Sequence, residues 1–380
     1  MVSQSVTSEI LNHKPTVLVV DDEAGPRDAL KVILRPFFNI QSAESARAAL
    51  DVLNSQPVDL ITLDQKLPDR QGLDLLREIK HFHSDIEVII ITGYGSLKSA
   101  MEGIRHGAAG YLLKPFNVTE LITLVNQTLQ KKQRLDYLRE FIHSTTALWG
   151  SEAECAQAWK DIQAGYNVIG ASGAENQPAV ESTDLLPLLS DLLEAKDRQL
   201  LNHCSRVSFY STLLANRTSL TVNEQKALAL GAFLHDIGKM AEGPYRFADD
   251  EIVAAGGLHD LRQHPEVGAR LIAPLGLPAE AGQIIAYHHE RWDGTGYPHG
   301  LKGEGIPILA RIVALAQTFD HLTAELPDHT PLTLDDATKF IAAHSGSRFD
   351  PALTPLFTQV IQECKGSLPA MAIATSPSGG

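Results

Sequence analysis

The chain has 380 residues, enough for two or more domains that each bury a core of their own. Its formal net charge of −14 opposes binding to a phosphate backbone, since a duplex binder presents a basic face; no helix-turn-helix and no Walker-type glycine loop with its Lys-Ser/Thr points to DNA binding or ATP hydrolysis. No apolar run reaches the roughly 18 residues of a membrane helix, no basic-then-apolar signal opens the chain, and Cys155, Cys204 and Cys364 form no disulfide framework, so a soluble, cytoplasmic protein with free thiols is expected.

From Thr16 to about Gln130, short apolar runs alternate with amphipathic stretches, the pattern of a doubly wound parallel five-stranded α/β sheet. Buried strands are predicted at Thr16-Val17-Leu18-Val19-Val20, Leu60-Ile61-Thr62-Leu63 and Val88-Ile89-Ile90-Ile91, with a last one through Tyr111-Leu112-Leu113. Such sheets bind ligands beyond the carboxyl ends of their strands. There the chain places Asp21 and Asp22 after the first strand, Asp64 at the end of the third, Thr92 at the end of the fourth, and Lys114 at the end of the fifth, just before Pro115. Clustered carboxylates repel one another unless a cation shares the site, and hard oxygen donors suit Mg²⁺. Asp64 is then the nucleophile toward a phosphoryl group, with Lys114 and the Thr92 hydroxyl stabilising its oxygens.

The next helix, from about Val118, is predicted to run on through Ile142. Leu121, Val125, Leu129, Leu135, Leu138 and Ile142 recur along it at spacings close to three or four. That stripe suits pairing with a second copy in a homodimer, or packing on its own chain. Residues 144–183 are less patterned: a short helix from Ser151 to Gly165, then a small, polar stretch from Gly170 to Pro178 that reads as a mobile tether.

From about Ser182 helical periodicity dominates, and an all-α bundle is expected. His203, the pair His235-Asp236, His264 and the pair His288-His289 fall on separate helices, so their site is assembled in the bundle core. Adjacent helical residues point about 100° apart, which lets a pair hold one metal, or two neighbouring metals, from a single turn. Imidazole nitrogen with shared carboxylate oxygen suits iron, manganese, zinc or nickel better than magnesium, and the arrangement implies two metals. A helix from Lys226 to His235 buries Ala227, Leu230, Phe233 and Leu234; Gly238 permits close approach, and Lys239 lies three residues past Asp236, within reach of it. His264-Pro265-Glu266 reads as a helix start, Pro265 taking the first helical position. Gly294-Thr295-Gly296-Tyr297-Pro298 is a turn by composition.

The first half resembles the response-regulator receiver domain, on Asp64-Gln65-Lys66-Leu67-Pro68, Gly72 and Leu113-Lys114-Pro115-Phe116. The resemblance implies phosphorylation by a sensor histidine kinase, Mg²⁺ held by Asp21, Asp22, Asp64 and the carbonyl of Lys66, and Tyr111 as the aromatic switch partner of Thr92. A dianion on Asp64 then shifts a pre-existing two-state equilibrium.

Residues 195–365 resemble the HD-GYP domain, a branch of the HD phosphohydrolases that hydrolyses cyclic di-GMP. The matched stretches are His203-Cys204-Ser205-Arg206-Val207, His235-Asp236-Ile237-Gly238-Lys239, His264-Pro265-Glu266-Val267-Gly268 and His288 through Pro298. The resemblance implies that His203, His235 and Asp236 hold one metal, and that Asp236, His264, His288 and His289 hold the other. A bridging water attacks phosphorus, Lys239 neutralises phosphoryl charge, and linear pGpG or GMP is the product. The resemblance also implies that the loop containing Asp293, Gly294, Gly296, Tyr297 and Pro298 serves substrate and partner recognition, and diguanylate cyclase-type proteins are among the partners to expect.

Three departures stand out. Gln317, in Ala314-Leu315-Ala316-Gln317-Thr318-Phe319-Asp320, occupies the place of an aspartate that is the last metal ligand; its amide oxygen can coordinate but brings no charge, and Asp320 lies one turn away. Gln199 replaces a glutamate that supports a third metal in some members, which argues for at most two. The Arg and Lys that often hold substrate phosphates are missing from Glu325-Leu326-Pro327-Asp328-His329. The leading expectation is a phosphorylation-controlled cyclic di-GMP phosphodiesterase. The alternatives are a hydrolytically silent output that binds nucleotide or protein through the Tyr297 loop, and a hydrolase of another phosphate ester. The expected organisation is a tail at 1–14, a receiver at 15–130, a helical connector and tether at 131–183, the HD-GYP domain at 184–368 and a tail at 369–380.

Overall fold

A computed structural model describes residues 14–93, 97–144, 151–171, 185–241, 260–324 and 330–365. The expected tails up to residue 13 and beyond 368, the tether past Ala171 and the segment 325–329 lie outside those residues. The chain divides into two compact units, Met1–Phe141 with Ile162–Thr183, and Ile142–Asp161 with Asp184–Gly380.

The first unit is a five-stranded parallel sheet in the order β2-β1-β3-β4-β5, with β1 Thr16–Val20, β2 Asn39–Ala43, β3 Leu60–Leu63, β4 Glu87–Thr92 and β5 Gly110–Leu113. Helices α1 Ala24–Leu34, α2 Ala46–Ser55, α3 Gly72–Phe82 and α4 Leu97–Arg105 connect the strands. The central strands are buried on both faces, as their unbroken apolar runs require. One face packs Leu18, Ile61, Leu63, Val88 and Ile90 against Leu75, Leu76 and Ile79. The other packs Val17, Val19, Ile89 and Ile91 against Leu30, Leu34, Leu121 and Val125. Strand β2, Asn-Ile-Gln-Ser-Ala, carries no apolar run because it is the sheet edge, and only Ala43 in it is buried.

Helix α5 spans Val118–Ser144. Its stripe is occupied within its own chain: Leu121, Val125, Leu129, Leu135 and Leu138 are all buried, Leu121 to Leu129 against the sheet. Tyr137, also buried, meets Gly165 of helix α6, Glu152–Ala171, so closely that a Cβ at 165 would lie 2.2 Å from the tyrosine oxygen. Helix α6 is therefore longer than the predicted Ser151–Gly165 segment. Its residues up to Asp161 count with the second unit. There the buried Trp159 donates from Nε1 to the carbonyl of Leu271 at 2.8 Å.

The second unit is an all-α bundle: α7 Leu185–Lys196, α8 Arg198–Ala215, α9 Val222–Leu234, α10 His264–Ile272, α11 Ala279–Tyr287, α12 Ile308–Thr323, α13 Leu334–Ala343 and α14 Leu353–Glu363. Helix α9 starts earlier than expected because Thr221 and Glu224 close a capping box. Helix α12 is almost wholly buried and forms the axis of the core, with Phe319 edge-on to Tyr210 and to Phe357 at centroid distances of 5.0 and 5.6 Å. Such aromatic pairs contribute about 0.5–1.5 kcal/mol each beyond the area they bury. No described helix is long and apolar enough to cross a membrane.

Candidate metal centre and phosphoacceptor site

At the carboxyl edge of the sheet, one donor oxygen each from Asp21, Asp22 and Asp64 lie within 4.8 Å of one another. Lys114 reaches in from the end of β5, its Nζ 2.6 Å from Asp21 Oδ2 and 2.7 Å from Asp64 Oδ2. Burial depresses an ammonium, but the hydrogen bonds to Asp21 and Asp64 outweigh it here and raise the Lys114 pKa above the ordinary lysine value. Arg27 donates to the carbonyls of Asp21 and Asp22 and pins that turn. Gly72 lets the loop after β3 fold tightly, since a Cβ there would lie 2.3 Å from the Asp64 carbonyl oxygen. Lys66 donates its backbone N–H to Asp64 Oδ1 at 3.2 Å. Thr92 is fully buried at the end of β4, and the Tyr111 hydroxyl lies 3.3 Å from Ser99 Oγ. Asp21, Asp22, Asp64, Thr92 and Lys114, at the strand ends the sequence singled out, stand at this edge, while Arg27 was not anticipated. Nor was Asp69, whose carboxylate accepts the N–H groups of Ala46 and Arg47 and caps α2.

In the second unit the histidines and the aspartate meet in two groups joined by one residue. Donor atoms of His203, His235 and Asp236 lie within 4.8 Å of one another, and so do those of Asp236, His264, His288 and His289. The Asp236 carboxylate divides between them. Its Oδ2 is 3.5 Å from His203 Nε2 and 3.6 Å from His235 Nε2, while Oδ1 is 3.2 Å from His264 Nε2 and 3.7 Å from His288 Nε2. Oδ1 is buried and accepts no aligned hydrogen bond, and buried carboxylate oxygens are costly in that state.

The tautomers are set by backbone carbonyls, which only accept. His235 donates from Nδ1 to Ala232 O at 2.7 Å and His288 from Nδ1 to Ile285 O at 2.8 Å, so the neutral form of each ring turns its Nε2 lone pair inward. Nε2 atoms then face one another, His264 at 3.2 Å from His288 and 3.1 Å from His289. Converging lone pairs around a shared carboxylate fit divalent cations of borderline softness. Burial, outweighing the nearby Asp236, holds His235 well below the ordinary imidazole pKa and lowers His264 too. Burial alone would raise Asp236, but the Lys239 ammonium, its Nζ 2.7 Å from Oδ2, holds it well below the carboxylate range. The Asp236 carboxylate is thus held charged and the His235 and His264 rings are held neutral, as metal binding requires.

Gly238 brings α10 against the short 3₁₀ turn Ile237–Ala241, the close approach anticipated from sequence. Pro265 is the second residue of α10 rather than the first, because His264 itself opens the helix. Gln317 is buried, and its Nε2 donates to the carbonyl of His288 at 3.0 Å. Asp320 does not join the donor groups. Its oxygens accept from His203 Nδ1 at 2.7 Å and from Arg206 at 2.5 and 2.9 Å. Burial would raise its pKa, but these bonds lower it. Arg206 and Asp320 thus orient His203, a role sequence reasoning missed although Arg206 sits one turn from His203 on α8.

The glycine-rich loop folds back on the histidine pair. A Cβ on Gly296 would lie 2.5 Å from the His289 carbonyl oxygen, and Gly294 has φ +83°. Tyr297 stacks flat on His289, centroids 4.6 Å apart at 14°, precedes a cis bond to Pro298, and carries the Arg262 guanidinium 5.3 Å from its ring. The Asp293 carboxylate is used within the turn, accepting from Thr295 N and Oγ1. Glu290, buried and not anticipated, accepts from the N–H groups of His299 and Leu301 and ties the loop down.

Comparison with known proteins agrees with this division. Residues 17–126 match the response regulator receiver domain and residues 187–353 match the HD domain. A probable cyclic di-GMP phosphodiesterase of Vibrio cholerae is 30% identical over 368 residues, covering 90% of this chain and 77% of that protein. A cyclic di-GMP phosphodiesterase of Thermotoga maritima is 27% identical, covering 92% and 91%. The cyclic di-GMP phosphodiesterase response regulator RpfG of Xanthomonas campestris pv. campestris is 27% identical, covering 88% and 85%. The chain belongs to the family of two-component response regulators that join a receiver domain to an HD domain of the HD-GYP type.

Proposed function

We propose that the second unit hydrolyses a phosphodiester bond of cyclic di-GMP to give linear pGpG, under control of phosphorylation at Asp64 by a sensor histidine kinase. The observation that carries the reading is the division of the Asp236 carboxylate, one oxygen toward His203 and His235, the other toward His264 and His288. The names of relatives covering about nine-tenths of the chain supply the substrate. His203, His235 and Asp236 would hold one ion, and Asp236, His264, His288 and His289 the other, with iron, manganese, nickel or zinc suited to the imidazole-rich set. Bound there, the ions supply an activated water and polarise the phosphate.

The chain's own groups do the rest. Lys239, buried beside Asp236, places an ammonium where phosphoryl charge develops. Arg206 and Asp320 fix the ring of His203. Tyr297, lying flat on His289 with the Arg262 guanidinium 5.3 Å from its ring, sets an aromatic ring and a cation beside the histidine pair, groups suited to a nucleotide's base and phosphate. In the first unit, Asp64 accepts the phosphoryl group, Asp21 and Asp22 share Mg²⁺ with it, and Lys114 and Thr92 take the phosphoryl oxygens.

The test is incubation of the purified full chain with Mn²⁺ or Fe²⁺ and cyclic di-GMP, with chromatography for pGpG. Product is expected from the wild type and none from Asp236→Ala or His264→Ala. Turnover that survives either substitution refutes the site; a wild type that binds both ions without turnover refutes the activity.

A further inference from the structure

The two donor groups are unequal. Among the described residues, the second has four protein donors and the first has three, His203, His235 and the shared Asp236. Helix α12 supplies two side chains that bear on the gap, Gln317 and, one turn later, His321. The Gln317 amide nitrogen is committed to the His288 carbonyl. His321 has the features of the histidines already in the groups. Its Nδ1 donates to a carbonyl one turn back, Gln317 O at 2.8 Å, which puts the neutral lone pair on Nε2, as in His235 and His288. Its ring packs on His203 at a centroid distance of 4.8 Å, close to the 5.0 Å of His203–His235 and the 4.9 Å of His264–His289.

We propose that His321 is the fourth protein ligand of the ion held by His203, His235 and Asp236. The proposal rests on the dinuclear reading above. His321 stands beside the donor group rather than within it, its ring packed on His203, and its coordination would need a change of rotamer that gives up the Nδ1 bond to Gln317 O in exchange for the metal. His203, whose Nδ1 is held by Asp320, keeps its place meanwhile. Six imidazoles and one carboxylate would then surround the pair, a nitrogen-rich set that favours late divalent metals over Mn²⁺ and Mg²⁺.

Co²⁺ serves as the probe, with equilibrium dialysis and elemental analysis giving ions per chain, and visible absorption reporting coordination. The wild type is expected to bind two Co²⁺. His321→Ala should retain one tight ion, with the other weakened about a hundredfold or more, beyond what loss of an outer-shell partner costs. His321→Phe keeps the ring packed on His203 without its nitrogens, and separates ligand loss from misfolding. His321→Asp should restore the second ion, and Gln317→Ala should keep both. Two tight Co²⁺ ions in His321→Phe, or loss of one in Gln317→Ala instead, overturns the assignment of His321 and leaves the dinuclear reading standing. A wild type with fewer than two ions overturns both.

Discussion

Gly238→Ala adds a single methyl group, and the structure places its consequence on His264, a proposed metal ligand. The new Cβ would lie 1.9 Å from the His264 carbonyl oxygen and 2.7 Å from Gly268 N, both backbone atoms with no side-chain torsion to relieve the contact. Real Cβ atoms essentially never approach closer than 3.0 Å, so helix α10 and the Ile237–Ala241 turn must separate by about 1.1 Å along that contact. His264 opens α10, and Asp236 immediately precedes the turn, so the displacement falls between two donors of the same group. Overpacking of this kind costs about 1–3 kcal/mol in stability. A misplacement near 1 Å in a reacting geometry costs about a hundredfold in rate. The predicted result is a folded protein with a lowered Tm, weakened binding of the ion at His264, His288 and His289, and turnover reduced about a hundredfold. Circular dichroism melts, metal analysis and the pGpG assay measure the three effects. A variant that keeps wild-type Tm and metal affinity would show that the two segments are not held at this distance.

Asp320→Asn leaves Arg206 facing a neutral amide and offers His203 a weaker acceptor. Breaking a buried ion pair costs about 3–5 kcal/mol, discounted because Arg206 is partly exposed; metal affinity should fall about 10–100-fold, and an unchanged titration would exclude a positioning role. The pH dependence of the metal-free protein follows from His235. Burial depresses its folded pKa below the unfolded value of 6.5, so its contribution to stability is present above about pH 6.5 and is lost as pH falls below it, where the unfolded chain binds the proton. Tm of chelator-treated protein should therefore drop from pH 7.5 to about 5, more steeply in the wild type than in His235→Asn; parallel curves would remove His235 as the cause. In the receiver, Asp64→Ala should abolish labelling by acetyl phosphate, and persistence of label would mean another acceptor.

Much of this was legible because the chemistry sits at places sequence patterns mark. Unbroken apolar runs locate β1, β3, β4 and β5, and a polar residue closing such a run is visible without coordinates. Thus Asp21, Asp64, Thr92 and Lys114 were found together, whereas β2 was not, its Asn, Gln and Ser alternation being the signature of an exposed edge. The histidines were legible as types and spacings. Their orientation was not, because it depends on carbonyls such as Ala232 O and Ile285 O, which every residue carries alike. Long-range partners were invisible for a similar reason. Asp320 lies 114 residues from Arg206 and 117 from His203, and only the folded bundle shows that it holds the His203 ring and stands outside the donor groups. The length of α6 was underestimated because the turn past Gly165 is held by burial of Tyr166 and Ile169 in the folded chain, which no local sequence signal marks.

Each site keeps a lysine on the carboxylate its chemistry needs: Lys114 on Asp21 and Asp64, Lys239 on Asp236 Oδ2. In the second site that bond competes with the use of both Asp236 oxygens, since Oδ2 faces His203 and His235 as well as Lys239. Like charges repel strongly in a low-dielectric interior, so a cation held at Oδ2 would weaken the hold of the lysine and leave its ammonium for the phosphate oxygens. Lys239→Met keeps the apolar stem and removes the charge. Metal affinity should then be unchanged or higher, because a competitor for Oδ2 is gone, while kcat falls about 100–1,000-fold, the scale of one lost electrostatic contact to the transition state. Loss of metal in Lys239→Met, with turnover per bound ion pair unaltered, would instead make the lysine a prop for the carboxylate.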